Sequence, residues 1–292
     1  MFQIISDASC DFSAEEIEKS DVKVIPFYVS FDQQNYMREG IEITKEAYFE
    51  RLTTEKTLFP KTSQPTPQDY VDAATPYLEE GKDIFILTIS SKLSGSHAST
   101  VIAKDMLSED YPDRKIELMD SRNVSVGHGL ILREIVKMRD AGFTLEQTVE
   151  TTKKVISSTH VYFTLSTLEY LKRGGRIGPT TALVGGILGL SPILQVENGE
   201  VSQLDNVRGR KRALELIEGA IVDALKDELD NINMSVGHIV CPEDAVAFKA
   251  STEAALGTQI PNPITDIGVT VGSHAGPGAI AFAYCKKYDK VD

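Results

Sequence analysis

In the first half of the chain, segments with the hydrophobic pattern of a strand alternate with segments that have the pattern of a helix. Short apolar runs rich in Val, Ile and Phe predict strands at residues 2–6, 22–31, 83–89 and 115–119. The run at residues 83–89 is almost continuously apolar, which is typical of a strand buried on both faces. Helical patterns follow at residues 66–78, from residue 97 to about residue 107, and at residues 124–141 and 144–157. This alternation predicts a parallel, doubly wound sheet, in which ligands bind at the carboxyl ends of the strands.

The second half combines the two patterns in another order. Strand-like segments are residues 161–167, 193–196, 201–204, 235–241 and 264–271, and Asn198-Gly199 predicts a hairpin between the second and third of them. Helical segments are residues 168–177, 180–190, 208–229 and 243–256. The predicted fold class is therefore α/β, with an N-terminal doubly wound parallel sheet in residues 1–160 and a smaller C-terminal α+β domain in residues 161–292.

Charge and cysteine content limit the expected partners and compartment. The net charge is −13, which argues against nucleic acid because phosphate binding needs a basic face. The first residues lack the pattern of a secretion signal, and the longest apolar stretch, residues 182–196, is interrupted by glycine and polar residues, so no transmembrane segment is expected. Three widely spaced cysteines (Cys10, Cys241 and Cys285) form neither a disulfide framework nor a zinc pattern, and they fit a cytoplasmic protein.

Three loops of small polar residues carry the candidate chemistry. They lie at residues 61–65, 90–97 and 272–278, and each concentrates hydroxyl groups, glycines or free backbone N–H groups. If the fold brings them together, they form a pocket for a carboxylate or phosphate. The candidate anion-binding residues are Thr62, Ser63, Ser94, Gly95 and His274. Taken one by one, the same loops also suit helix caps and connectors.

Basic residues stand out against the acidic background. Arg173 and Arg176 flank two glycines, and Arg208 opens a cluster that continues through residues 210–212. These side chains are candidates for contact with a phosphorylated product or an acidic partner, although the second cluster equally suits a solvated helix start.

Two carboxylates, Asp7 and Asp11, occupy the first turn after the first predicted strand. A metal site would need a third ligand there, so turn formation and helix capping explain them better. No metal site is expected.

Taken in order, these segments resemble the DegV family over essentially the whole chain. The matching segments are residues 7–11, 62–65, 91–96, 120–121, 168–177, 208–212 and 276–278. The LEYLKRGGRI stretch at residues 168–177 and the SSKLSGS loop at residues 90–96 are the most specific of them. Residues 7–11 read DASCD, whereas the opening usual in the family is DSTAD.

The resemblance implies a two-domain lipid-binding protein rather than an enzyme, with a long-chain fatty acid as its ligand and no other cofactor. It also implies the fatty-acid-binding subunit of bacterial fatty acid kinase. Such a subunit presents the fatty acid to a separate ATP-dependent kinase subunit, which makes an acyl phosphate for phospholipid synthesis. By position in the motifs, Thr62 and Ser94 would bind the carboxylate, His274 would lie near them, and Arg173 would serve phosphotransfer or kinase docking.

Neutral hydroxyl and amide donors would hold the carboxylate without a buried counter-charge, and the acyl chain would need an apolar tunnel. The glycine-rich residues 182–194 are expected to line that tunnel, together with Phe27, Ile193 and Leu194.

Two other functions share some of these residues. A Ser/His acyl hydrolase would use Ser94 and His274 on a lipid-like ester, although the GxSxG motif is absent. A small-molecule kinase or phosphosugar protein would have to bind ATP with this chain alone, and the GxxxxGK[ST] and GxGxxG phosphate loops are missing.

Overall fold

The computed structural model describes residues 2–55, 57–177 and 190–291. In chain order the strands are β1 (Phe2–Asp7), β2 (Val22–Ile25), β3 (Tyr28–Ser30), β4 (Met37–Arg38), β5 (Lys61–Ser63), β6 (Asp83–Thr88), β7 (Ile116–Asp120), β8 (His160–Thr164), β9 (Leu190–Glu197), β10 (Glu200–Arg208), β11 (Ile232–His238), β12 (Thr265–Asp266) and β13 (Ile280–Lys286).

The helices are α1 (Ala14–Ser20), α2 (Lys45–Thr54), α3 (Pro67–Glu79), α4 (Ser96–Asp110), α5 (Val126–Asp140), α6 (Leu145–Ser157), α7 (Glu169–Gly174), α8 (Arg210–Leu225), α9 (Pro242–Leu256) and α10 (Val269–Ala275). None of these helices combines the length and the hydropathy that a membrane span requires.

The N-terminal sheet is parallel throughout, as its apolar runs predict. Its strand order is β2-β1-β6-β7, and every neighbouring pair is parallel. The central strand β6 is buried from Ile84 to Thr88. The polar loop that precedes α4 leaves the carboxyl end of β6, at the edge of the sheet where parallel α/β folds bind ligands.

The second sheet has the order β10-β9-β8-β13-β11-β12 and is antiparallel except for the pair β11 and β12. The predicted hairpin joins β9 to β10, with Asn198 and Gly199 both at positive φ. Helix α5 is buried along residues 126–132 and contacts both large sheets. A single apolar core therefore extends from one sheet to the other.

The predicted strand at residues 22–31 is two strands in different sheets. Pro26 separates them, because proline has no N–H to donate to a strand ladder. Strand β2 joins the parallel sheet, whereas β3 pairs with β4 and β5 in a small antiparallel sheet. Neither this small sheet nor helix α2 is predicted by the sequence patterns.

The predicted strand at residues 264–271 is also wrong over most of its length. Only Thr265–Asp266 is extended, and helix α10 begins at Val269. The β-branched residues there favour a strand locally, but the carboxylates of Asp11 and Glu39 accept the backbone N–H groups of Gly268 and Thr270 and so support the start of a helix.

The predicted helix at residues 208–229 is shorter than its pattern. Arg208 is the last residue of β10, and Gly209, at φ +89°, separates the strand from α8. The predicted helix at residues 180–190 lies outside the described residues except for its last residue, which begins β9. The division of the chain at residue 160 stays a prediction.

Candidate functional site

Thr62 and His274 meet although 212 residues separate them along the chain. Thr62 lies on β5, and His274 lies in the last turn of α10. The Thr62 Oγ1 atom is 2.8 Å from His274 Nε2. The first and third polar loops therefore come together, as the anion-pocket hypothesis requires.

Ser94 lies in the loop between β6 and α4. The backbone N–H groups of Leu93 and Ser94 both donate to the carbonyl of Ser90, which folds the loop into a tight turn. The Ser94 Oγ atom is 3.0 Å from the hydroxyl oxygen of Ser96, which is fully buried at the start of α4. Ser94 lines the same cavity as Thr62 and His274.

That cavity has an empty volume of about 890 Å³, including its open mouth. Most of its wall is apolar and comes from both halves of the chain, with the C-terminal sheet contributing Val161, Phe163, Val196, Val201 and Ala281. Among the described residues of the wall, seven have polar side chains: Thr62, Gln64, Ser94, Ser125, Arg176, Thr270 and His274. The hydroxyl group of Ser125 already donates to the Asp11 carboxylate, and that of Thr270 donates to the Glu39 carboxylate. The polar groups left to serve a ligand belong to the other five residues.

The imidazole of His274 is held neutral by its surroundings. Burial, together with the nearby charges of Arg176 and Lys61, lowers its pKa to about 4. Its Nδ1 atom has no hydrogen-bond partner among the described residues and faces Gly174.

An unpaired ring nitrogen is less costly as a bare acceptor than as an N–H group, so we assign the proton to Nε2. Nε2–H then donates to the hydroxyl oxygen of Thr62, which leaves the Thr62 proton to serve an anion in the cavity.

Arg176 also lines the cavity. Its Nε donates to the carbonyl of Leu93 at 3.1 Å, and its Nη1 donates to the carbonyl of Gly174 at 2.6 Å. The half-buried guanidinium thus joins the segment after α7 to the Ser94 loop. The sequence predicts only neutral donors around the anion. The structure corrects this prediction, because the guanidinium of Arg176 lines the same cavity.

Arg173 and Arg208 do not line the cavity. The Arg173 side chain is exposed, pairs with Glu169, and lies 3.8 Å from the centre of the Phe59 ring. Arg208 is exposed at the end of the edge strand β10. Its neighbour Arg210 is bound to Asp244 and to the carbonyl of Gly278, so it fastens the third polar loop and is not a free surface charge.

Ser63 and Gly95 are expected in the site from the sequence, but they do not line the cavity. Ser63 is exposed. A Cβ atom at Gly95 would lie 2.4 Å from Nε2 of Gln64, so a glycine at this position leaves room for the Gln64 side chain. Gln64 lies within a segment that already stood out in the sequence, yet nothing in the pattern separates it from Ser63. No sequence signal marks Ser125 or Thr270.

The tunnel walls expected from the sequence are partly corrected. Phe27 lines the cavity, whereas Ile193 and Leu194 do not. Ile193 belongs to the cluster under α8 and α9, and Leu194 is fully buried in the core. Side chains alternate along a strand, and it is Val196 that faces the cavity from β9. Residues 182–189 lie outside the described residues.

The geometry does not support a Ser/His hydrolase. Within the described parts of the chain, Nε2 of His274 bonds to Thr62, and Ser94 bonds to Ser96 with no hydrogen bond to His274. Ser94 therefore lacks the base that would activate it as a nucleophile. Among the described residues, no group of three or more His, Cys, Asp or Glu side chains is placed to hold a metal ion.

The family model described as "Uncharacterised protein, DegV family" matches residues 1–287. The chain belongs to the DegV family. A DegV domain-containing protein of Clostridium acetobutylicum is 31% identical over 285 residues, which are 97% of this chain and 96% of that protein.

Solved structures that share this fold include two that are described as fatty-acid-binding. A stearic-acid-binding protein from Eubacterium ventriosum is 32% identical, superposes with a TM-score of 0.95, and is matched over 100% of both chains. A DegV family protein from Thermus thermophilus, described for its fatty acid binding, is 29% identical with a TM-score of 0.86, over 98% of this chain and 99% of that one. These structural neighbours in the DegV family are fatty-acid-binding proteins.

Proposed function

We propose that this chain binds one long-chain fatty acid. The carboxylate lies among Thr62, Ser94 and His274, and the acyl chain fills the apolar cavity. The observation that carries the proposal is the joining of a small donor cluster to an apolar cavity of about 890 Å³. Small-molecule sites combine a mostly apolar wall with a few converging polar groups, and this cavity has that composition.

The chemistry of the cluster suits a carboxylate. An anion that leaves water must be hydrogen-bonded, and the hydroxyl groups of Thr62 and Ser94 supply donors at one end of an apolar space. The positive charge of Arg176 favours an anion over a neutral headgroup. Each buried methylene adds about 0.8 kcal/mol, so chain length supplies most of the affinity and the headgroup sets the orientation.

We further propose that the bound fatty acid is the substrate of a separate ATP-dependent kinase subunit in the cytoplasm, which makes an acyl phosphate for phospholipid synthesis. Arg173 is exposed on α7 next to Gly174, which touches His274, and the Lys61 ammonium donates to the Arg173 carbonyl. These cations beside the donor cluster suit a phosphoryl group or an acidic kinase surface. Arg208 is exposed at the end of β10, does not line the cavity, and is proposed for docking only.

The fatty acid is tested by extracting the purified protein with organic solvent and identifying the extract by mass spectrometry. We expect close to one fatty acid per chain, within a narrow range of chain length. An extract without lipid, together with failure of added palmitate and oleate to bind, would contradict the proposal.

The kinase role is tested by mixing oleate-loaded protein with a fatty acid kinase subunit and MgATP, then trapping acyl phosphate with hydroxylamine. We expect hydroxamate only when both proteins are present, and less of it with Arg173→Ala. Hydroxamate from the kinase and free oleate at the same rate would show that this chain is not the acyl-presenting subunit.

Gly174→Ala is expected to weaken oleate binding about tenfold or more, because moving the imidazole of His274 leaves the Thr62 hydroxyl without the donor that directs its proton to the anion, and a hydrogen bond to a charged group contributes about 1.5–3 kcal/mol. The new Cβ would lie 2.2 Å from Nδ1 of His274 and would push the imidazole away from Thr62. The affinity is measured by titration calorimetry. Gly219→Ala is the control, because its Cβ meets no atom within 4 Å. Equal affinities for the two variants would argue against the placement of His274 in the site.

A further inference from the structure

The turn at residues 7–11 carries two acidic side chains that the proposed function does not use. Asp7 ends β1, residues 8–10 form a single 3-10 turn, and Asp11 follows at φ +53°. Asp7 is fully buried and Asp11 is half-buried. In the described structure their oxygens accept hydrogen bonds from N–H and O–H donors.

Asp7 holds the segment that carries Ser94. Its Oδ2 accepts from the backbone N–H of Ile89 at 2.8 Å, directly before the polar loop begins. Its Oδ1 accepts from the backbone and side chain of Ser9, which fixes the carboxylate within its own turn. Ile89 lines the cavity. The position of the loop is thereby tied to the end of β1.

Asp11 holds the segment that carries His274. Its Oδ1 accepts from the backbone N–H of Gly268 at 2.9 Å, which is the N-cap residue of α10. Its Oδ2 accepts from the hydroxyl of Ser125 at 2.6 Å. Ser125 lines the cavity at φ +54° and ψ −128°, a backbone conformation that is strained for a residue with a side chain.

We infer that Asp7 and Asp11 are positioning residues, and that the turn at residues 7–11 sets the position of Ser94 relative to His274 and thereby the fit of the carboxylate. The inference rests on the proposed function. Neither carboxylate touches the ligand, and each acts through a backbone N–H group at the start of a segment that does. The two aspartates are four residues apart, so one rigid turn spans both segments.

Loss of Asp11 is expected to shift α10 without unfolding it. Glu39 independently accepts from the backbone N–H of Thr270 at 2.9 Å and from its hydroxyl at 2.8 Å. The helix therefore keeps a second anchor two residues from Gly268. Displacement of the far end of the helix, where His274 lies, is the result that the test must detect.

The test measures headgroup preference and not affinity alone. Protein freed of lipid is equilibrated with a mixture of oleic acid and oleyl alcohol, and the bound ratio is read by mass spectrometry of the extract. The two lipids share one chain and differ at the headgroup, so misplaced carboxylate donors lower the ratio, whereas general loosening of the fold lowers both occupancies together. Wild-type protein is expected to prefer the acid.

The variants are Asp11→Gly and Asp11→Asn, because both residues tolerate the left-handed backbone at this position. Glycine removes both acceptors, and we expect the acid preference to fall about tenfold or more. Asparagine still accepts from Gly268 and can donate to Ser125, so the preference should stay within about threefold of wild type. Asp21→Gly is the matched control, since Asp21 is exposed and also left-handed at φ +49°.

An unchanged acid preference in Asp11→Gly would overturn the inference, and so would an equal loss of both lipids. If wild-type protein binds neither lipid or does not prefer the acid, the proposed function fails first and the inference falls with it. If Asp11→Gly does not fold, Asp7→Asn replaces it, because an amide cannot accept from both Ile89 and Ser9 through separate oxygens. Its acid preference should drop about threefold or more, and an unchanged ratio would overturn the inference.

Discussion

The double variant Thr62→Val with Ser94→Ala is expected to lose oleate affinity by at least about a hundredfold. Each substitution removes one hydroxyl donor from a buried anion, and a hydrogen bond to a charged group contributes about 1.5–3 kcal/mol. Valine preserves the volume of Thr62, so the cavity keeps its shape while Nε2 of His274 loses the partner 2.8 Å away. Titration calorimetry with oleate measures the change, and each single variant should show a smaller loss.

The neighbour Ser63 offers the control for this experiment. It lies on the same strand, is exposed, and does not line the cavity, so Ser63→Ala should bind oleate like wild type. If the double variant binds oleate within threefold of the control, the carboxylate does not bind at this cluster. That result would still leave the apolar cavity as a lipid site.

Ala281→Phe is expected to reduce oleate affinity by about a hundredfold and to spare short acids such as decanoate. Ala281 is the second residue of β13 and lines the cavity, and its neighbour Phe282 belongs to the cluster under α8 and α9. A phenyl ring in the cavity takes the space of several methylenes, and excluding about four of them costs about 3 kcal/mol. A series of acids of increasing length measures the effect.

The stability of the same variant separates blocking from damage. Filling a cavity preserves or raises the melting temperature, so Ala281→Phe without ligand should melt no lower than wild type without ligand. Ala281→Val, which adds less volume, should lose less affinity for oleate. If decanoate and oleate lose affinity equally, the acyl chain does not occupy this part of the cavity.

Local patterns determined the elements whose signals lie within a few residues. The run at residues 83–89 predicted a buried parallel strand because both faces of β6 are covered. Thr66 and Pro67 predicted the start of α3, where the Thr66 hydroxyl accepts from the N–H of Asp69 and the Asp69 carboxylate accepts from that of Thr66. Asn198-Gly199 predicted the hairpin because both residues adopt positive φ. In each case the physical cause is local geometry.

Tertiary contacts decided the rest. The segment at residues 264–271 favours a strand by residue type, but carboxylates from Asp11 and Glu39 support a helix there. Ile193 and Val196 lie on the same strand, yet only Val196 faces the cavity, because pairing with the neighbouring strands sets which side faces inward.

The same distinction between local patterns and tertiary contacts applies to the candidate site. The hydroxyl and histidine residues stood out in the sequence because they lie in compact polar loops. Only the fold shows that Thr62 bonds to His274 and that Arg176 lines the same cavity. Local patterns therefore identify the residues that are chemically able to bind an anion. Which of them converge on one apolar cavity depends on how the two sheets pack, because the contacts join residues more than 200 positions apart.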